Sequence, residues 1–133
     1  MPRKVSHKKN IISEQTVTVG KLNPKDIIHF KYKGDDIYDI TPLVFILPTK
    51  DIDKKKNIRT KQVVYGININ YLTEFVIEQL LGEKDLLRMK KYSLYKEAYR
   101  AYSVDKMSMI KIVEYKTNKM LAEERKQQRE ANE

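Results

Sequence analysis

The side chains that could do chemistry are few and scattered along this chain. Asp35, Asp36 and Asp39 are close in sequence, and grouped carboxylates near a basic residue are what a metal-dependent nuclease requires. The first two follow Gly34, where Asp is favoured by turn backbone alone, so a turn is the preferred reading. His29 with Asp26 offers an acid–base pair. No Ser, Cys or Lys partner stands at a telling spacing, and an ordinary surface His is the simpler account. Tyr95, Tyr99 and Tyr102 with Arg88 and Arg100 could stack nucleobases. With Ala98 the tyrosines follow i, i+3, i+4, i+7, which favours one helix face packed on a core with its hydroxyls at the rim. No Gly-rich phosphate loop is present.

Two further sets concern binding. Lys54, Lys55, Lys56, Arg59 and Lys61 are the densest positive charge. As a polyanion contact they would be sequence-independent and salt-sensitive; as a loop they are simply solvated, and both readings stand. Asn68 and Asn70 are candidate contacts to a neighbouring subunit. Asn also hydrogen-bonds nearby backbone, and bonding the turn into the next helix is the preferred role.

Composition narrows the classes. The chain has 133 residues, 41% hydrophobic and 34% charged, with net charge +9, which suits one domain with a modest core and a highly charged surface. A basic surface attracts polyanions, although a genome rich in A and T also yields much Lys, Ile, Asn and Tyr. There is no Cys, and the two His, His7 and His29, are far apart, which excludes disulfides and thiolate or His-rich metal sites. No cofactor and no small-molecule substrate is expected. No apolar run reaches the ~18 residues that span a membrane, and no apolar signal core follows the basic N-terminus. A soluble protein made in the cytoplasm is expected.

Hydrophobic periodicity then supplies the elements. Residues 1–15, with Arg3, Lys4, Lys8 and Lys9, are basic and aperiodic and read as a flexible arm that orders on a partner. Alternation over Thr16–Val19 suggests a first strand. Ile28, Phe30 and Tyr32 share one face of a second. Pro42 starts a third, Leu43 to Leu47. Lys50 to Lys61 reads as an exposed loop. Val63, Tyr65, Ile67, Ile69 and Tyr71 alternate through Gln62–Leu72, a strong strand signal. Thr73 can N-cap a helix that Gly82 ends. Glu83–Tyr102 reads as further helix, Met107–Tyr115 as a closing strand, and Thr117 caps a charged helix from Asn118 to about Arg129. The resulting expectation is an α+β chain: a small SH3-like, or secondly OB-like, β-barrel over residues 16–115 with a helical insert. The arm precedes it and a charged C-terminal helix, 116–133, follows.

Three phrases carry a resemblance: Asp39-Ile40-Thr41-Pro42-Leu43-Val44, then Gly66-Ile67-Asn68-Ile69-Asn70-Tyr71-Leu72, then Tyr99-Arg100-Ala101-Tyr102. In this order they resemble small virion proteins of tailed bacteriophages, encoded among neck, tail, baseplate and packaging genes, some labelled DNA end protectors. The match runs from about Lys25 to Val113. It implies a non-catalytic adaptor in the virion, made in the host bacterial cytoplasm and contacting other virion proteins, several copies forming a symmetric ring. The competing expectation is a basic, sequence-independent nucleic-acid-binding protein such as a DNA end protector. A small nuclease is the third and least supported.

Overall fold

A computed structural model describes residues 5–33, 41–48, 63–84 and 95–131. Its strands are β1 (Ile11–Thr16), β2 (Ile27–Tyr32), β3 (Leu43–Ile46), β4 (Val63–Asn68), β5 (Tyr99–Ser103) and β6 (Met107–Tyr115). Its helices are α1 (Glu74–Leu81) and α2 (Asn118–Ala131). Among the described residues the strands form one six-stranded sheet in the order β1-β6-β2-β3-β4-β5, every pair antiparallel. The fold is α+β and compatible with a small barrel, but the sheet does not close, because β1 and β5 remain its two edges.

Apolar side chains line both faces of the sheet, as the uninterrupted Leu43-Val44-Phe45-Ile46 run requires: all four are buried. On one face Ile27, Phe45, Ile67 and Val113 pack under Ile77 and Leu80 of α1. On the other, Ile28, Phe30, Val44, Ile46, Tyr102, Met107 and Ile110 form a second cluster. Phe30 and Tyr102 meet edge to face with centroids 5.1 Å apart, although β3 and β4 separate their strands in the sheet. The Ser103 amide also donates to the Tyr32 hydroxyl at 3.1 Å. The sheet therefore curls around this second cluster. Gly66 permits the tight β3–β4 contact: a Cβ there would stand 2.3 Å from Val44 Cγ1 and 2.7 Å from the Phe45 carbonyl oxygen.

Four expectations are corrected. Residues 5–15 are not a free arm. The Val5 amide donates to the Asn70 carbonyl at 2.6 Å, buried His7 holds the Leu72 carbonyl through Nε2 at 2.9 Å, Asn10 is buried, and β1 pairs with β6. The polar sequence misled because an edge strand is held by backbone bonds: only Ile11 of β1 is even partly buried. Residues 1–4, including Arg3 and Lys4, lie outside the described residues.

The expected first strand, Thr16–Val19, is displaced: β1 ends at Thr16 and Val19 opens a 3-10 turn. The helical reading of Glu83–Tyr102 fails where the structure describes it. Tyr95–Ala98 form turns and Tyr99–Ser103 is a strand on β4; the i, i+3 spacing suits a helix face, and pairing with β4 overrides it, turning Tyr99 and Tyr102 to opposite faces of the strand. Met107–Tyr115 is the last strand in sequence, with the bounds expected, but its place in the sheet is interior, paired with both β1 and β2. Its register on β2 shifts between His29 and Lys31, where Met109 takes φ 54°, the left-handed geometry of a bulge.

Candidate partner-binding surface

The densest polar structure is the joint from which α2 leaves the body. Thr117 is fully buried and N-caps α2, its Oγ1 accepting the Met120 amide at 3.2 Å. The same hydroxyl donates to Glu78 Oε1 at 2.9 Å. One turn earlier on α1, Glu74 accepts the Asn118 backbone amide through one carboxylate oxygen and the Asn118 side chain through the other at 2.9 Å. Of these two carboxylates at i and i+4 on α1, Glu74 satisfies an orphan backbone donor at the positive end of α2 and Glu78 fixes the capping hydroxyl. Asn10 completes the joint from the N-terminal side. Its carboxamide donates to the Lys116 carbonyl at 2.8 Å and to Asn118 Oδ1 at 3.0 Å.

Tyr115 lies beneath this joint. Its ring meets His7 edge to face at 6.4 Å, and its buried hydroxyl has no hydrogen-bond partner among the described residues. Burial first, and then the negative charge of Glu74, push its pKa up to about 12. Lys116 is held by Glu124, and by Glu114 at 3.6 Å; the bond to Glu124 is the first cause of its raised pKa. Beyond its first turn α2 is exposed, and none of its residues is buried.

A second polar group crosses three strands. Glu14 of β1 pairs with Lys111 of β6 at 3.2 Å and stands 3.7 Å from His29 Nδ1 of β2. His29 therefore faces Glu14, whereas Asp26 accepts the Asn23 amide at 2.8 Å and fixes its own turn. This group staples an edge strand to the sheet, and the alternation of β1 and β6 was the signal that could have found it.

The other sequence candidates fall apart spatially. Asn68 and Asn70 are buried, and Asn68 Oδ1 accepts the Asn70 amide at 3.1 Å. The Asn68 side chain caps the turn before α1, and both side chains are buried within the body. Tyr95 packs with the α1-side cluster, Tyr102 with the opposite one, and Tyr99 stacks on Tyr65, so no aromatic row forms. Arg100 donates to the Tyr99 carbonyl at 2.9 Å and its guanidinium sits 5.0 Å from the Tyr71 ring centre.

Lys8 and Lys9 are exposed in a 3-10 turn. The loop cations Lys54, Lys55, Lys56, Arg59 and Lys61, the carboxylates Asp35, Asp36 and Asp39, and Arg88 lie outside the described residues. Among the described residues no three of His, Cys, Asp and Glu gather as metal ligands, and no helix is long and apolar enough to cross a membrane. Exposed apolar side chains are Phe75 at 68%, Met109 at 58%, Ile12 at 48% and Val5 at 47%. No family model, no curated protein and no solved structure matches this chain.

Proposed function

We propose that this chain is a non-catalytic structural protein of a tailed-phage particle, an adaptor of the neck, tail or baseplate that joins other virion proteins in a ring of several copies. The observation that carries the reading is α2. It spans 14 residues, buries none of them, and among the described residues it is fastened around its first turn and by the Lys116–Glu124 pair. A helix that short is marginal in water, and one polar all round gains its role by bridging to something else. Exposed Phe75 on α1 and Ile12 on β1 add apolar anchors of the kind interfaces use. The order of the three sequence phrases supports the same location.

Within that reading we take the body as an SH3-like barrel, with an OB-like one second. The curl that brings Tyr102 onto Phe30 and the 3-10 turn Val104–Lys106 before β6 support it. The net charge of +9 favours a second reading, a sequence-independent nucleic-acid binder. Purified particles washed with nuclease and then with high salt separate the two. An adaptor stays with the particle in fixed stoichiometry, and its release by either wash would overturn the assignment.

A further inference from the structure

The outward face of α2 carries a row of four cations. At ~100° per residue, Arg125, Arg129, Ala122, Lys126 and Lys119 fall within about 120° of arc. The opposite side faces the body: Met120 and Leu121 are half-buried there, and Glu124 binds Lys116. Glu123 and Glu130 border the row on one side, yet among the described residues no carboxylate lies within ion-pair distance of its four cations. Further exposed cations stand near the foot of the helix. Asn10 bonds Asn118 at the foot of the helix, and exposed Lys8 and Lys9 immediately precede Asn10 in the same 3-10 turn.

We infer that this row, with Lys8 and Lys9 at its foot, docks the sugar–phosphate backbone of a nucleic acid duplex. A protein partner would need an apolar, desolvated centre, and among the described residues this face offers only Ala122 as an apolar side chain, so the adaptor's protein contacts fall to Phe75 and Ile12 instead. Phosphates need only point charges or guanidinium forks, and the row supplies two of each. From Lys119 to Arg129 is ~15 Å along the axis, the rise of about four nucleotides of one strand. The joint at Thr117 and Glu74 holds the helix in place beforehand, so little is lost in ordering it. The inference stands on these residues and does not require the adaptor reading.

The test is fluorescence anisotropy with a labelled 20-base-pair duplex of mixed sequence, across a salt series, using the full chain. The variant K119A/R125A/K126A/R129A keeps helix propensity, since Ala is the best helix former, and circular dichroism checks that it does. Removing four phosphate contacts should flatten the slope of log affinity against log salt by about 3.6, at ~0.9 each, and weaken binding more than 100-fold at 0.1 M salt. If the quadruple variant misfolds, R125Q/R129Q should still flatten the slope by about 1.8. An unchanged slope in a folded variant would overturn the inference. So would absence of duplex binding by the unmodified chain at ~50 mM salt. Tighter binding of a labelled polyglutamate peptide than of the duplex, lost in the same variant, would assign the row to an acidic protein instead. Loss of the whole slope on changing only Lys54, Lys55 and Lys56 would move the contact to the loop. Whether the variant still enters particles is a separate measurement that bears on the adaptor reading alone.

Discussion

The Glu74 carboxylate grips both the backbone amide and the side-chain amide of Asn118, so α1 determines where α2 begins. The bond is solvent-exposed, and its worth is the ordinary ~0.5–1.5 kcal/mol of an intramolecular hydrogen bond. Its larger consequence is direction, because α2 only half-buries Met120 and Leu121 and fully buries no side chain that would otherwise orient it.

Thr117→Val should therefore loosen α2 more than the whole molecule. The change removes the cap of Met120 and the bond to Glu78 together, a loss of about 1–2 kcal/mol. Hydrogen exchange should accelerate from Met120 to Ala131 while amides of β2 and β3 stay protected. Uniform acceleration through the sheet would show that the joint belongs to the core and not to the helix alone.

The tyrosine beneath the joint makes stability fall in alkali. Its hydroxyl titrates near 10 when unfolded and at about 12 in the fold. A group whose folded pKa is raised contributes stability that is complete below pH 10 and is lost as pH climbs through 12. The loss is at most about 2–3 kcal/mol at ~1.36 kcal/mol per unit. Tyr115→Phe should flatten the decline of melting temperature between pH 10 and 12. Near pH 7 it should be neutral or stabilising, since the hydroxyl it deletes has no hydrogen-bond partner. A clear loss of stability at pH 7 would mean that the hydroxyl is bonded in solution.

The sheet interior makes a sharper demand. Ile69 is fully buried in the cluster under α1, and Ile69→Ala should cost roughly 2–5 kcal/mol, much of the ~5–15 kcal/mol available to a domain. Thermal unfolding reads it, and an unchanged midpoint would place Ile69 at the surface.

The period-two pattern over Gln62–Leu72 made a strand legible in the sequence, although β4 ends at Asn68 and Ile69–Tyr71 form a 3-10 turn; the Thr73 and Thr117 caps were legible as well. Each depends on side-chain chemistry that local spacing displays. What the sequence hid depends on long-range pairing. β1 carries polar side chains and is held by β6, about 100 residues later, so nothing local marks it as strand. Tyr99 and Tyr102 are spaced for one face of a helix, and pairing with β4 overrides that spacing and turns them to opposite faces of a strand. Asn68 and Asn70 were visible as a pair, and the preferred turn-bonding role is the one the structure gives to the Asn68 side chain. The Glu74–Asn118 bond joins residues 44 apart, beyond any capping motif a window of sequence can reveal.

The placement of residues 5–16 in the body yields a proteolysis prediction opposite to that for a free arm. Brief trypsin treatment should leave the bonds after Lys8 and Lys9 intact in the folded chain, because Asn10, His7 and β1 fix their backbone. Asn10→Ala breaks the bonds to Lys116 and Asn118, stranding the Lys116 carbonyl at about 1–3 kcal/mol, and should open those sites. Rapid cleavage after Lys9 in the unmodified protein would restore the arm.

The final prediction separates assembly from charge. If affinity for the particle resides in apolar and backbone contacts, with charge steering only the encounter, changing Lys54, Lys55 and Lys56 to Ser leaves incorporation nearly intact. If the loop instead neutralises phosphates, three lost contacts flatten the salt slope of duplex binding by about 2.7, and the protein goes missing from otherwise complete particles. Phe75→Ser supplies the converse. Phe75 is 68% exposed on α1, so the change costs the fold little, within ~0.5 kcal/mol for a surface site, yet it removes an aromatic anchor of the kind that dominates interface energies. Incorporation should fall for Phe75→Ser and persist for the lysine triple variant. The reverse pattern would sink the adaptor reading and leave nucleic-acid binding as the function of the chain.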